Sequence, residues 1–183
     1  GYKAGEQVVV RDLLAGMMLA SGNDAANAVA EAVSGSQEAF AVLMNERARL
    51  AKATHSNFAN PSGTHMDQHV TTARDLAAIA HEAMKNPRFR ELVSMESCSL
   101  PATNLHPFNG WAVLINTNRL MVFDDTYFRS DWLKKVTGIK TGSTNMAGDC
   151  LVASALTPGG AELIGVILKV PLSLTDNNKA TYM

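Results

Sequence analysis

Cysteine is nearly absent from this chain of 183 residues, and the two present, Cys98 and Cys150, are far apart and lack metal-ligand spacing. One possible pair makes no disulfide framework, and it leaves the redox compartment undetermined. An excess of one charge is also missing. Sixteen Lys and Arg stand against seventeen Asp and Glu, a net charge of -1. That balance removes the electrostatic case for nucleic acid or an anionic membrane surface as partner. No apolar run approaches the roughly 18 residues that cross a bilayer. Gly1-Tyr2-Lys3 leads directly into domain-like sequence with nothing resembling a secretory leader, so both this start and the end at Tyr182-Met183 read as internal to a longer protein. Repeats, low-complexity segments and charge runs are not found. What is there is ordinary for a globular protein: 46% hydrophobic and 18% charged residues, enough for one well-buried core.

Periodicity divides the chain. Val10 to Ala20 carries Leu13, Leu14, Met17 and Met18 on a broad helical face. Ser21-Gly22 interrupts it, and the Ala-rich stretch from Asn23 to Val33 predicts a second helix stopped at Ser34-Gly35. Ser36 is placed to cap a third, in which Phe40, Leu43, Met44, Arg47 and Leu50 keep the helical period. Turn chemistry from Thr54 to Val70, with Asn60-Pro61-Ser62-Gly63 at its centre, marks a loop. Thr72, with Asp75 three residues on, opens another helix to about Lys85, and Pro87 begins a short successor. After Met95 the pattern becomes extended, then polar and aromatic from Phe123 to Trp132. Strands are predicted at Lys140 to Ser143, Gly148 to Leu156 and Leu163 to Val170, the last two joined by the turn Thr157-Pro158-Gly159-Gly160. Helices first and antiparallel strands last predict an α+β layer arrangement, with both faces of the hairpin covered.

Two short motifs carry chemistry. Lys140-Thr141-Gly142-Ser143 offers a cation, a hydroxyl and uncluttered backbone on a strand, the equipment for holding a carboxylate. Ser21-Gly22-Asn23 offers a hydroxyl and an amide at a helix junction. Alone, the first is more often a strand end or turn, and the second more often helix stop, break and N-cap. Other candidates weigh less. His55, His65 and His69 cluster in a loop without a zinc pattern, so no metal is expected. His81 reads as surface or satisfied core, and His106, near Pro107, has no visible partner. Met17, Met18 and Met44 read as core filling, and Cys150 as a small core residue. Trp111, Tyr127, Phe128 and Trp132 could line a groove, though packing is the commoner role.

Order and flanks reverse the bland readings. Arg11-Asp12-Leu13-Leu14 ahead of Ser21-Gly22-Asn23-Asp24-Ala25-Ala26, then Met44-Asn45, Phe58 to Gly63 and Thr72 to Ala77, then Gly138 to Ser143 and Ala147 to Val152, follow one another in matching order. In these segments the chain resembles the D-alanyl-D-alanine carboxypeptidases, the low-molecular-weight penicillin-binding proteins of the β-lactamase/transpeptidase-like superfamily. The resemblance implies a single partial transpeptidase-like domain over 1–183, helical from about 8 to 95 and strand-rich from about 96 to 172. It also implies acyl transfer through a serine ester, with no metal or organic cofactor. Lys140 and Thr141 would face the terminal carboxylate of a peptidoglycan stem peptide ending in D-Ala-D-Ala, or the acid group of a β-lactam. Gly142 would leave room for substrate backbone, and the Ser143 N–H would be an oxyanion donor. Ser21 would relay a proton toward the leaving D-alanine, and Asn23 would hold the acyl side-chain amide. Location outside the cytoplasmic membrane is implied in the same way.

The pattern is incomplete. That family draws its nucleophile from Ser-x-x-Lys upstream of Ser21, and no serine here has lysine three residues later. The expectation is a chain lacking the amino-terminal strands and nucleophile helix, and catalytically dead by itself: such a loss costs about 10⁶ in rate in a comparable serine hydrolase. It is either part of a longer active enzyme or a non-catalytic peptide-binding module. The residue types kept at Ser21, Asn23, Lys140 and Thr141 favour the former. A class A β-lactamase ranks lower, because no Glu-x-x-Leu-Asn stretch is present. Missing strands would expose a sheet edge, through which the chain could dimerise.

Overall fold

The computed structural model describes residues 1–122 and 133–171. The expected aromatic connection from Phe123 to Trp132, including Tyr127 and Phe128, and the end at Tyr182-Met183 lie outside the described residues.

Five helices come first: α1 (Val10–Met18), α2 (Asn23–Ser34), α3 (Gln37–Leu50), α4 (Ala73–Met84) and α5 (Pro87–Val93). Their ends follow local chemistry. Ser36 and Thr72 accept the N–H groups of Ala39 and Asp75, Asn86 accepts from Arg88 with Pro87 as the first helical residue, and Gly35 closes α2 at φ 80°. The Asn23 side chain does not cap α2: Gly22 is the N-cap and Asn23 is already helical. The loop between α3 and α4 is pinned from both sides. Asn45 of α3 accepts from the Phe58 N–H at 2.8 Å and donates to its carbonyl at 2.8 Å, while buried Asp75 accepts from the His55 N–H and the Ser56 hydroxyl.

The strands form two sheets. β1 (Ser97–Ser99) pairs with β2 (Val113–Ile115), and after the short α6 (Arg119–Val122) an antiparallel meander runs β3 (Lys135–Thr144), β4 (Gly148–Leu156), β5 (Glu162–Val170). Strand β3 starts five residues earlier than its apolar pattern suggests, because Lys135 and Val136 pair with Leu156 and Ala155. The core lies between this sheet and the helices above it: Ala80 and Met84 of α4, Val93 of α5 and Ile139 of β3 are buried, with Met18, Phe89, Val152 and Ile164 packed around them. Approach is close enough that a Cβ on Gly138 would sit 2.8 Å from Val93 Cγ2. Two parallel bonds of 2.6 Å from the Arg90 guanidinium to Glu162 tie α5 to β5 at the rim.

Four expectations need correction. The hairpin is not covered on both faces: β5 alternates, leaving Leu163 49% and Ile167 51% exposed. Met44 is not core filling, since the α3 stripe opens onto an apolar groove of about 890 Å³ with Phe40, Leu76, Ile79 and Phe89. His106 has partners. Its Nδ1 lies 2.8 Å from Glu6 Oε1, and its ring stacks on Trp111 at 3.8 Å with the planes 6° apart. Cys150 is half-buried rather than a core residue, and both cysteines are free.

Glu6 fastens the segment before α1 to the loop between β1 and β2. Its carboxylate, 1% exposed, also accepts from the Thr103 hydroxyl at 2.7 Å and the Lys3 N–H at 2.9 Å. Burial pushes this carboxyl up, but the hydrogen bonds from Thr103, His106 and Lys3 and the charge of His106 prevail and hold it at about 2. Since its folded value lies below the usual 4.5, the stabilisation is complete above that pH and is lost as pH falls toward 2. Glu6→Gln should therefore unfold earlier in urea near pH 7, by about 1–3 kcal/mol for the lost charged contacts. The gap from wild type should close toward pH 2; a gap independent of pH would contradict this account.

Candidate active site

The two motifs meet although 119 residues separate them: Lys140 Nζ donates to Ser21 Oγ at 2.8 Å and to the Thr141 carbonyl at 2.9 Å. Each half is held by its own element. Helix α1 ends in Leu19, which is fully buried, and the chain then turns back so that the Gly22 N–H reaches the Gly16 carbonyl at 3.0 Å. That turn puts Ser21 at φ 57°, a left-handed backbone that costs a non-glycine residue energy and is kept only where surroundings impose it. Its hydroxyl thereby faces β3. Asn23, one helical position later, begins α2 with an exposed side chain.

Strand β3 supplies the other half. Ile139 enters the core, Lys140 and Thr141 are half-buried beside it, and Gly142 and Ser143 are exposed. On one side β3 is paired with β4, Gly142 opposite Cys150 and Ser143 opposite Asp149. Its other edge has no strand partner among the described residues, the kind of edge along which an extended ligand can pair. A Cβ on Gly142 would meet nothing within 4 Å, so this stretch is open. Thr141 Oγ1 lies 2.7 Å from the Thr117 hydroxyl. Sequence reasoning missed Thr117. The only signal is its place in Asn116-Thr117-Asn118, which reads as polar linker until Asn118 is seen to be fully buried.

Burial lowers the Lys140 ammonium from its usual 10.5 to about 8. At neutral pH the group is a cation ready to release its proton, placed against a hydroxyl. Such a pair can bind a carboxylate and shuttle a proton. Among the described residues no group of three His, Cys, Asp or Glu could hold a metal. His55 and His65 instead lie near Asp75 and Asp67, and His69 accepts from the Ala59 N–H. Trp111 packs against His106 and, edge-on, against Tyr2.

Residues 2–171 match the peptidase S11 family, described as D-alanyl-D-alanine carboxypeptidase. The chain belongs to that family. Similar proteins include the D-alanyl-D-alanine carboxypeptidase DacF of Bacillus subtilis, 34% identical over 98% of this chain and 42% of its own length. The enzyme DacB2 of Mycobacterium tuberculosis is 32% identical over 90% of this chain and 52% of its own length. The solved DD-transpeptidase of Streptomyces K15 superposes with a TM-score of 0.81 at 32% identity, over 93% of this chain and 64% of that one. The fold is thus the α+β penicillin-binding type. The chain spans about two fifths to a half of the length of these curated relatives.

Because the Lys140 value is lower folded than unfolded, the unfolded chain holds the extra proton between pH 8 and 10.5, and stability should rise with pH across that window. A ¹³C-labelled Lys140 should titrate near 8, and the stability difference from Lys140→Met should shift in its favour above that pH. Titration near 10.5 would show that burial does not act on this amine.

Proposed function

We propose that this chain forms the substrate-holding part of a serine-type D-Ala-D-Ala carboxypeptidase that removes the terminal D-alanine of peptidoglycan stem peptides and binds penicillin. The observation that carries the reading is the 2.8 Å bond between Lys140 Nζ and Ser21 Oγ, which joins two family motifs from opposite ends of the chain in one cleft. The Lys140 cation and the Thr141 hydroxyl receive the C-terminal carboxylate; a charge-assisted bond of this kind is worth about 1.5–3 kcal/mol. The peptide lies along the open edge of β3, past Gly142, where among the described residues nothing stands within 4 Å of the Cβ position. Its scissile carbonyl faces the Ser143 N–H, a donor typically worth about 2.7–4 kcal/mol to the developing oxyanion. Asn23 holds the acyl amide.

Ser21 passes a proton from Lys140 toward the departing amine. The depressed value of the lysine makes that transfer less costly than from an ordinary ammonium. The nucleophile belongs to a Ser-x-x-Lys helix, which this sequence does not contain. Among the described residues no helix is long and apolar enough to cross a membrane. The substrate places the site on the outer side of the cytoplasmic membrane. We also infer self-association through β5, whose outer edge is unpaired among the described residues and whose face exposes Leu163 and Ile167. A dimeric mass in light scattering would support it and a monomeric mass at high concentration would overturn it.

Fluorescent penicillin tests the main reading. The 183-residue chain should bind it reversibly without covalent label. A polypeptide that also carries the Ser-x-x-Lys helix should be labelled covalently. Lys140→Ala should weaken reversible binding about tenfold or more, the loss of one charged contact. Affinity should fall as pH rises through about 8, where the cation is lost. Binding that ignores both Lys140→Ala and pH would count against the reading. A longer polypeptide that binds but never labels would point to a non-catalytic module.

A further inference from the structure

The tripeptide Asn116-Thr117-Asn118 links β2 to α6 and is held more tightly than a linker requires. Asn116 and Asn118 are 4% and 0% exposed. The Asn116 amide donates to the Met95 carbonyl at 2.9 Å, and its oxygen accepts from the Asn118 N–H at 2.9 Å. The Asn118 amide donates to the Gly138 carbonyl of β3 at 3.0 Å, and its oxygen accepts from the Leu120 N–H at 3.2 Å. The backbone is therefore locked on both sides of Thr117. Its own N–H donates to the Leu19 carbonyl at 3.0 Å, two residues ahead of Ser21. Thr117 itself is exposed, and its hydroxyl lies 2.7 Å from Thr141 Oγ1.

We propose that Thr117 is a positioning residue of the carboxylate-binding site, its hydroxyl donating to Thr141 so that the Thr141 proton is committed to the incoming carboxylate. This rests on the function proposed above. Without ligand, either hydroxyl can donate to the other. A carboxylate only accepts, so Thr141 must then donate outward, and its oxygen is left to accept from Thr117. A chain of donors running in one direction polarises each member and strengthens the charged bond at its end. The two buried asparagines keep the Thr117 hydroxyl in register with β3, so the chain is assembled before ligand arrives.

The test uses the full chain, an acetylated peptide ending in D-Ala-D-Ala, and dissociation constants from NMR titration. Thr117→Val, which keeps shape and loses the hydroxyl, should weaken binding about tenfold while leaving the thermal midpoint in place. Thr117→Ser should bind within about twofold of wild type. In a Thr141→Val background, Thr117→Val should cost nothing further, because the two hydroxyls act as one unit. Equal binding by Thr117→Val, failure of the serine variant to rescue, or a loss that persists without the Thr141 hydroxyl would each overturn the inference. Wild-type chain that does not bind the peptide would overturn the proposed function itself, and this inference with it.

Discussion

Placing an ammonium against a hydroxyl beneath a sheet edge is the constraint on which this molecule turns. Lys140 could extend into water, where its charge costs nothing; instead it is half-buried and held between the Ser21 hydroxyl and the Thr141 carbonyl. Desolvation disfavours the charge and brings the lysine to about 8. Two hydrogen bonds offset part of that cost. Under the proposed function, this arrangement presents an oriented cation and hydroxyl to an acidic ligand.

Holding that arrangement needs rigidity on both sides of the cleft. On the helical side, the turn after α1 forces Ser21 into a left-handed conformation, and buried Leu19 anchors it. On the strand side, the packing of Val93 against Gly138 and Ile139 seats β3 on α5. The Asn116–Asn118 segment spans the two, bonded to the Leu19 carbonyl in one direction and the Gly138 carbonyl in the other. The spacing of Leu19 and Gly138 is therefore held by short polar contacts of this segment.

Much of the helical half was legible because helix ends are local events. Ser36, Thr72, Pro87 and Gly35 act within three or four residues, and each stops or starts its helix where its own chemistry says. His106 was misread for the opposite reason: its partner Glu6 lies 100 residues away, and nothing near Pro107 announces it. Met44 and the β5 face were misread because an apolar period tells which residues share a face, and not whether anything covers it.

The sequence by itself determined the helix boundaries, the hairpin turn and the residue types of both motifs, with their order along the chain. These depend on propensity, capping and spacing, which act over a few residues. Only the tertiary structure decided that Ser21 and Lys140 touch, that Thr117 joins Thr141, and that burial lowers the lysine. Distances between remote groups and the solvent left around them arise from packing, and no run of neighbouring residues encodes them.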